Sequence, residues 1–157
     1  MAKNNCSCIK KWGIILLLTI PFSLLLFPSE GNCDQNARII VKTILASRNE
    51  GSIDPKLKDL AQELNSVFRY SSYKFLGQQN MALAENKRGS VDLPEGRKMN
   101  ITSGGISGDR VTLRIEIFKG SSRIFQTVIQ LRNNASVTIG GPGYKGGNLL
   151  FNIFTSF

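Results

Sequence analysis

The chain reads as an α+β domain, mainly antiparallel β in a curled sheet or sandwich, with one amphipathic helix near the start of its folded part. Three patterns predict this. Val111, Leu113, Ile115 and Ile117 alternate with Thr112, Arg114 and Glu116, the period-two signature of a half-buried strand. Leu57, Leu60, Ala61, Leu64, Val67 and Phe68 recur at intervals of three and four, which places them on one face of a helix. Turn-forming clusters such as Pro94-Glu95-Gly96, Lys119-Gly120-Ser121-Ser122 and Arg132-Asn133-Asn134 then punctuate the rest at short spacing, as tight connections between strands require.

The first segment is expected to stand outside the fold. Lys3, Lys10 and Lys11 precede a nearly unbroken apolar run from Gly13 to Phe27, and a basic start followed by a short apolar stretch is the pattern of an export signal. The run is 15 residues long and contains Pro21, whereas a helix spanning a bilayer needs roughly 20 apolar residues. Ser29-Glu30-Gly31 and Gly31-Asn32-Cys33 each set small side chains at the first and third positions before a cut. Residues 1–33 are therefore read as a signal peptide cleaved near 31–33, and residues 34–157 as a single α+β domain. Glu30 stands where a lipoprotein signal carries an aliphatic residue, which argues against lipid attachment at Cys33. The style of the leader is bacterial, so the periplasm or cell envelope is the expected location, with no stable membrane span after cleavage.

In the domain, Arg38 to Ala46 is rich in β-branched residues and reads as the first strand, followed by a polar turn from Ser47 to Ile53. Asp54-Pro55 supplies a helix start, Asp as N-cap and Pro at the first helical position, for a helix expected to end near Tyr70. Its other face mixes Lys56, Lys58, Asp59, Gln62 and Glu63, which suits a helix covering a sheet better than one lying on a membrane. Tyr73 to Ala84 reads as a strand with an irregular centre at Gly77, Gly89 to Leu93 as a short strand, and Lys98 to Thr102 as another ending in a Ser103-Gly104-Gly105 loop. The Val111 strand turns through Gly120 into Phe125, Thr127, Ile129 and Leu131. Val137 to Ile139 is short, and Leu149 to Phe154 closes the domain.

Composition narrows the chemistry. Residues 34–157 carry 17 basic and 10 acidic side chains, a net charge of +7, which favours anionic neighbours. Lys and Arg are scattered singly apart from Lys87-Arg88 and Arg97-Lys98, unlike the basic stripe with stacking aromatics of a nucleic-acid binder, so no nucleic-acid partner is expected. The chain has no histidine, which removes Ser-His-Asp, Cys-His and histidine-ligated metal chemistry. Cys6 and Cys8 lie in the leader, leaving Cys33 at most for the mature chain. No metal and no cofactor are expected. Ser71-Ser72-Tyr73-Lys74 superficially suggests a serine/lysine pair, but neighbouring strand residues point to opposite faces.

The most unusual local sequence is Gly140-Gly141-Pro142-Gly143-Tyr144-Lys145-Gly146-Gly147. A phosphate cradle would lead into a helix, and this segment leads into β-patterned Leu149-Leu150-Phe151-Asn152-Ile153. It is read as the hairpin between the last two strands, with Tyr144 and Lys145 exposed at the tip and five glycines that let a partner's backbone or a sugar come close. Gly140, Gly141, Pro142, Gly143, Tyr144, Lys145, Gly146 and Gly147 are the candidate binding loop.

Thr43-Ile44-Leu45-Ala46-Ser47, Ile53-Asp54-Pro55, Phe68-Arg69-Tyr70-Ser71-Ser72-Tyr73 and Ile139-Gly140-Gly141-Pro142-Gly143-Tyr144 together resemble a group of small exported bacterial proteins of uncharacterised function. That resemblance brings no assigned activity and no functional residues. Val137-Thr138-Ile139-Gly140-Gly141 is also locally similar to a strand of outer-membrane secretins.

The resulting expectation is a non-catalytic exported domain that binds another envelope component, either an envelope protein or an anionic one, through sheet edges and loops. A small outer-membrane β-barrel is the alternative, suggested by Phe157 with Thr155, Ile153, Phe151 and Leu149 at alternating positions before it. A hydrolase of envelope polymers is the remaining reading and would need two carboxylates facing each other across a cleft. Asp54, Asp59, Glu63, Glu85, Asp92, Glu95, Asp109 and Glu116 are the available acids, and no two of them form a recognisable pair.

Overall fold

Two strands whose apolar residues serve both faces organise the fold: β1 (Ala37–Ser47) and β8 (Gly147–Ser156), paired antiparallel from Arg38 opposite Ser156 to Ala46 opposite Asn148. The computed structural model describes residues 36–49 and 51–157. The expected leader, 1–33, with all three cysteines, lies outside the described residues, as does Glu50. The remaining strands are β2 (Ser72–Leu83), β3 (Arg88–Leu93), β4 (Arg97–Ser107), β5 (Arg110–Lys119), β6 (Ser122–Arg132) and β7 (Ala135–Tyr144). A 3₁₀ turn over Pro55–Leu60 runs into the short helix α1 (Ala61–Val67).

The strands form two four-stranded antiparallel sheets, one ordered β2-β1-β8-β7 and the other β3-β4-β5-β6. The α+β class, mainly antiparallel β with a helix on one sheet, is thus the observed one. Taken around the domain the strands follow chain order, with β1 beside β8 and two seams, β2/β3 and β6/β7, where the chain changes sheet without a ladder. Between the sheets lies the main core, built from Ile39 and Val41 of β1, Met99 and Ile101 of β4, the alternating Val111, Leu113, Ile115 and Ile117 of β5, and Leu149, Phe151 and Ile153 of β8. A second core lies on the outer face of the first sheet, where Leu57, Leu60 and Leu64 cover Ile44, Ala46, Tyr73 and Leu150. Burial on both faces explains why Leu149-Leu150-Phe151 is a continuous apolar run while β5 alternates.

This arrangement corrects the barrel alternative. Leu149, Phe151, Ile153 and Thr155 point into the sandwich and are buried there, so their alternation belongs to a packed protein core and not to a lipid-facing wall. The outer face of the second sheet carries polar residues such as Lys98, Asn100 and Arg114. No helix among the described residues is long and apolar enough to cross a membrane.

Several boundaries differ from the sequence reading. The helix stops at Val67, not near Tyr70, because Phe68 is already extended, with φ −114° and ψ 133°. Val67 is 63% exposed and leaves the apolar face to Leu57, Leu60 and Leu64. Strand β4 runs through the expected Ser103-Gly104-Gly105 loop to Ser107, since Gly105, at φ +93°, lets the ladder shift register and resume at Ile106 opposite Val111. β7 is ten residues long, continuing past Ile139 by a register shift between Gly140 and Gly143. The irregularity expected at Gly77 is present as a register shift beside it, Thr43 pairing with Gly77 and Ile44 with Phe75.

Candidate functional site

The glycine-rich segment forms the β7–β8 hairpin. Tyr144 pairs with Gly147, and the two residues between them, Lys145 at φ 44° and Gly146 at φ 75°, make the tight turn with positive φ at both centres that suits the twist of paired strands. The glycines divide by role. A Cβ at Gly141 would collide with the Phe151 ring, and one at Gly147 would run into the Ala46 carbonyl oxygen. Those two positions are dictated by packing of the hairpin against its own sheet. A Cβ at Gly140 meets nothing within 4 Å, and one at Gly143 comes no nearer than 3.7 Å to its neighbours. Both are exposed, so the ribbon carries bare backbone that the fold itself does not require.

Tyr144 is not the free tip residue expected from sequence. Val137 and Ile139 pack against the main core from β7, the register shift at Gly141-Pro142 moves the alternation by one residue, and Tyr144 therefore joins them, half-buried. Lys145 remains exposed, its Nζ 5.5 Å from the centre of the Tyr144 ring. The side chain offered to solvent at the tip is thus a single cation backed by an aromatic ring.

Six of the eight carboxylates available for chemistry are engaged in structure, Asp92 among them through Lys98. Asp54 caps the 3₁₀ turn, its Oδ1 accepting from the Lys56 backbone N–H at 3.0 Å and its Oδ2 from that of Phe75 at 3.3 Å. Glu116, largely buried on the outer face of the second sheet, accepts from Arg123 at 2.9 Å and lies 4.0 Å from Arg88. Asp59 pairs with Lys42, Glu95 with Arg97, and Asp109 with Arg110 and Arg132. A cleft of about 290 Å³ at the β2/β3 seam is lined by Thr43, Leu76, Gly77, Gln78, Gln79, Val91, Asp92 and Pro94, with Asp92 its one carboxylate. A shallower one beside the helix start has Asp54 as its carboxylate among the described residues. Among the described residues no group of three or more His, Cys, Asp and Glu is placed to hold a metal ion.

Two features lay beyond sequence reasoning. The seam cleft depends on β2 and β3 belonging to different sheets, and the glycine at position 77 was its only local signal. Arg97 sits on the inner face of β4 at 8% exposure, with its Nη2 donating to Glu95 at 2.5 Å and no hydrogen-bond partner for Nε or Nη1 among the described residues. Nothing in the Arg97-Lys98 pair marks one as buried, because the assignment follows from which face of β4 meets the other sheet.

No protein-family model matches the chain, and no curated protein matches it either. The resemblance to small exported bacterial proteins therefore finds no counterpart there. Among solved structures the chain is similar to the T2SS secretin XcpQ from Pseudomonas aeruginosa, determined by cryo-EM, at 10% sequence identity over 76% of this chain and 52% of that one, with a TM-score of 0.33. The chain spans about half the length of that secretin chain, and a score so low does not define a shared fold.

Proposed function

We propose that the chain is an exported, non-catalytic domain of the periplasm or cell envelope, and that it binds another envelope component through the tip of the β7–β8 hairpin. Export rests on the leader pattern of Lys3, Lys10 and Lys11 ahead of Gly13–Phe27. The observation that carries the binding role is Lys145. It holds φ 44° at a turn position where Asn or Gly is strongly preferred. A lysine there costs turn stability and gains no buried contact, and residues held in such backbone regions cluster at functional sites. Beside it, exposed Gly140 and Gly143 leave room for close approach. The net +7 charge of residues 34–157 selects an anionic surface, on a protein or an envelope polymer, as the partner chemistry.

The test is affinity purification of the tagged chain from its native envelope, beside Lys145→Asn. Asn favours the turn, so this variant is expected to be as stable as the parent or more so while recovering at least tenfold less partner. Equal recovery by the two proteins would remove the hairpin from the binding surface. Recovery of nothing specific by either would remove the envelope-binding role.

A further inference from the structure

We propose that β6 is a self-pairing edge through which two copies of this chain associate across a two-fold axis at Val128. Sheet edges carry unpaired backbone groups, and natural proteins blunt them with prolines, bulges, charges or short length. Three of the four edges here are blunted. β7 has Pro142 within its register shift, β2 has a register shift beside Gly77, and β3 is six residues long with Arg88 and Asp92 on it. β6 is different. It is 11 residues long, and its one register shift, between Ile117 and Phe118 on β5, lies opposite Ile124 near its start. From Phe125 to Leu131 it runs in regular register and contains no proline, glycine or charged residue.

Two of the three exposed large apolar side chains among the described residues fall on this strand. Ile124 is 44% and Val128 53% exposed, and besides them only Val67 is a large hydrophobic so open among the described residues. Val128 is the midpoint of the regular segment Phe125–Leu131, which makes an antiparallel copy of that segment its own complement. A two-fold axis at Val128 sets the two Val128 side chains together and Gln126 opposite the partner's Gln130 on the outer face. On the inner face Phe125 meets the partner's Leu131 and Thr127 the partner's Ile129, adding cross-strand apolar pairs where Phe125 and Ile129 are half-buried at the seam. Arg123 and Arg132 stand outside the paired segment, so no like charges oppose each other. The result is one continuous eight-stranded sheet, β3-β4-β5-β6 from each copy, formed by an isologous contact that closes after two chains. One seven-residue edge buries less than the 1,200 to 2,000 Å² typical of stable complexes, so association in the micromolar to millimolar range is expected, of order ~10 µM to ~1 mM.

Sedimentation equilibrium of the full chain tests this together with cysteine placement in a Cys6→Ser, Cys8→Ser, Cys33→Ser background. The expected mass rises from one chain to two with concentration, and Val128→Lys, at an exposed position that leaves folding intact by circular dichroism, weakens association at least tenfold. Directly opposed strand residues lie about 4.5 to 5.5 Å apart between Cα atoms, within disulfide reach. Val128→Cys is therefore expected to give a disulfide-linked dimer on mild oxidation. Gln126→Cys alone, with its copies about 14 Å apart along the strand, is not, while the Gln126→Cys, Gln130→Cys double variant is. A single-chain mass up to about 1 mM, a dimer that Val128→Lys leaves unchanged, or cross-linking by Gln126→Cys but not Val128→Cys would each overturn the proposal. Because Val128 lies mid-strand on β6 and Lys145 at the β7–β8 turn, none of these outcomes bears on partner binding through Lys145.

Discussion

The Tyr73 hydroxyl lies 2.9 Å from the Leu64 carbonyl oxygen, and at the same distance from that of Phe68, so a strand residue closes the C-terminal end of α1. The helix is only seven residues long and its last carbonyls need a partner. Tyr73 supplies one from β2 while its ring, 1% exposed, fills the second core.

Removing that hydroxyl takes the donor from the Phe68 carbonyl and leaves the Leu64 carbonyl with the Phe68 backbone N–H alone, so Tyr73→Phe is expected to lower unfolding free energy by about 1–2 kcal/mol. Burial raises the Tyr73 pKa above 10.0, the neighbouring Tyr70 adding to it and the backbone hydrogen bond opposing it. A raised folded-state value means that the neutral phenol stabilises the fold fully below pH 10 and that this contribution is lost as pH climbs from 10 through the folded value. Urea titrations from pH 8 to 11 should show a steeper decline above pH 10 in the parent than in Tyr73→Phe.

The glycines of the hairpin should separate by experiment as they do by contact. Gly147→Ala drives a methyl into the Ala46 carbonyl and is expected to cost about 1–3 kcal/mol. Gly140→Ala meets open space and should leave the melting temperature unchanged. If the hairpin tip binds a partner, Gly140→Ala reduces recovery in the envelope pull-down without touching stability.

Arg97 offers the opposite kind of test. Two of its nitrogens are buried without partners, so replacing it by an apolar side chain of similar length removes a desolvation cost. Arg97→Met is expected to match or exceed the parent's stability by up to about 1 kcal/mol, whereas Arg97→Ala opens a cavity and loses about 2 kcal/mol. A large loss in Arg97→Met, seen in thermal melts, would show that the guanidinium is held by more than Glu95.

Asp54 ties two elements with one carboxylate, reaching the Lys56 and Phe75 backbone N–H groups. Asp54→Ala is expected to cost about 1 kcal/mol for the cap and leave the Phe75 amide short of a partner. Asp54→Asn keeps an acceptor for one of the two and should recover about half of the loss in denaturant titration.

What could be read from the sequence was whatever depends on near neighbours in the chain. The alternation of Val111 to Ile117 determined a strand, Asp54-Pro55 a helix start, and Pro94-Glu95-Gly96 and Lys119-Gly120-Ser121-Ser122 the turns, because side-chain periodicity and turn chemistry act over a few residues. The helix end at Val67 was missed because Phe68 is pulled into the second core, a contact with no local signature. The passage of β4 through Gly105 and of β7 through Gly141 was missed because glycine marks an irregularity without saying whether the ladder stops or shifts.

The candidate loop was legible as a hairpin, yet its exposed residue was not. Only the register between β7 and β8 decided that Tyr144 turns inward and Lys145 outward, since a one-residue shift exchanges the faces of every residue beyond it. In the same way the pairing of β1 with β8, over a hundred residues apart in the chain, decided which strand is buried on both faces and left β6 as an open edge. The local pattern determined which segments are strands. Which strand lies beside which, and therefore which backbone and side chains remain for a partner, was set by burial between two sheets that no stretch of the chain describes alone.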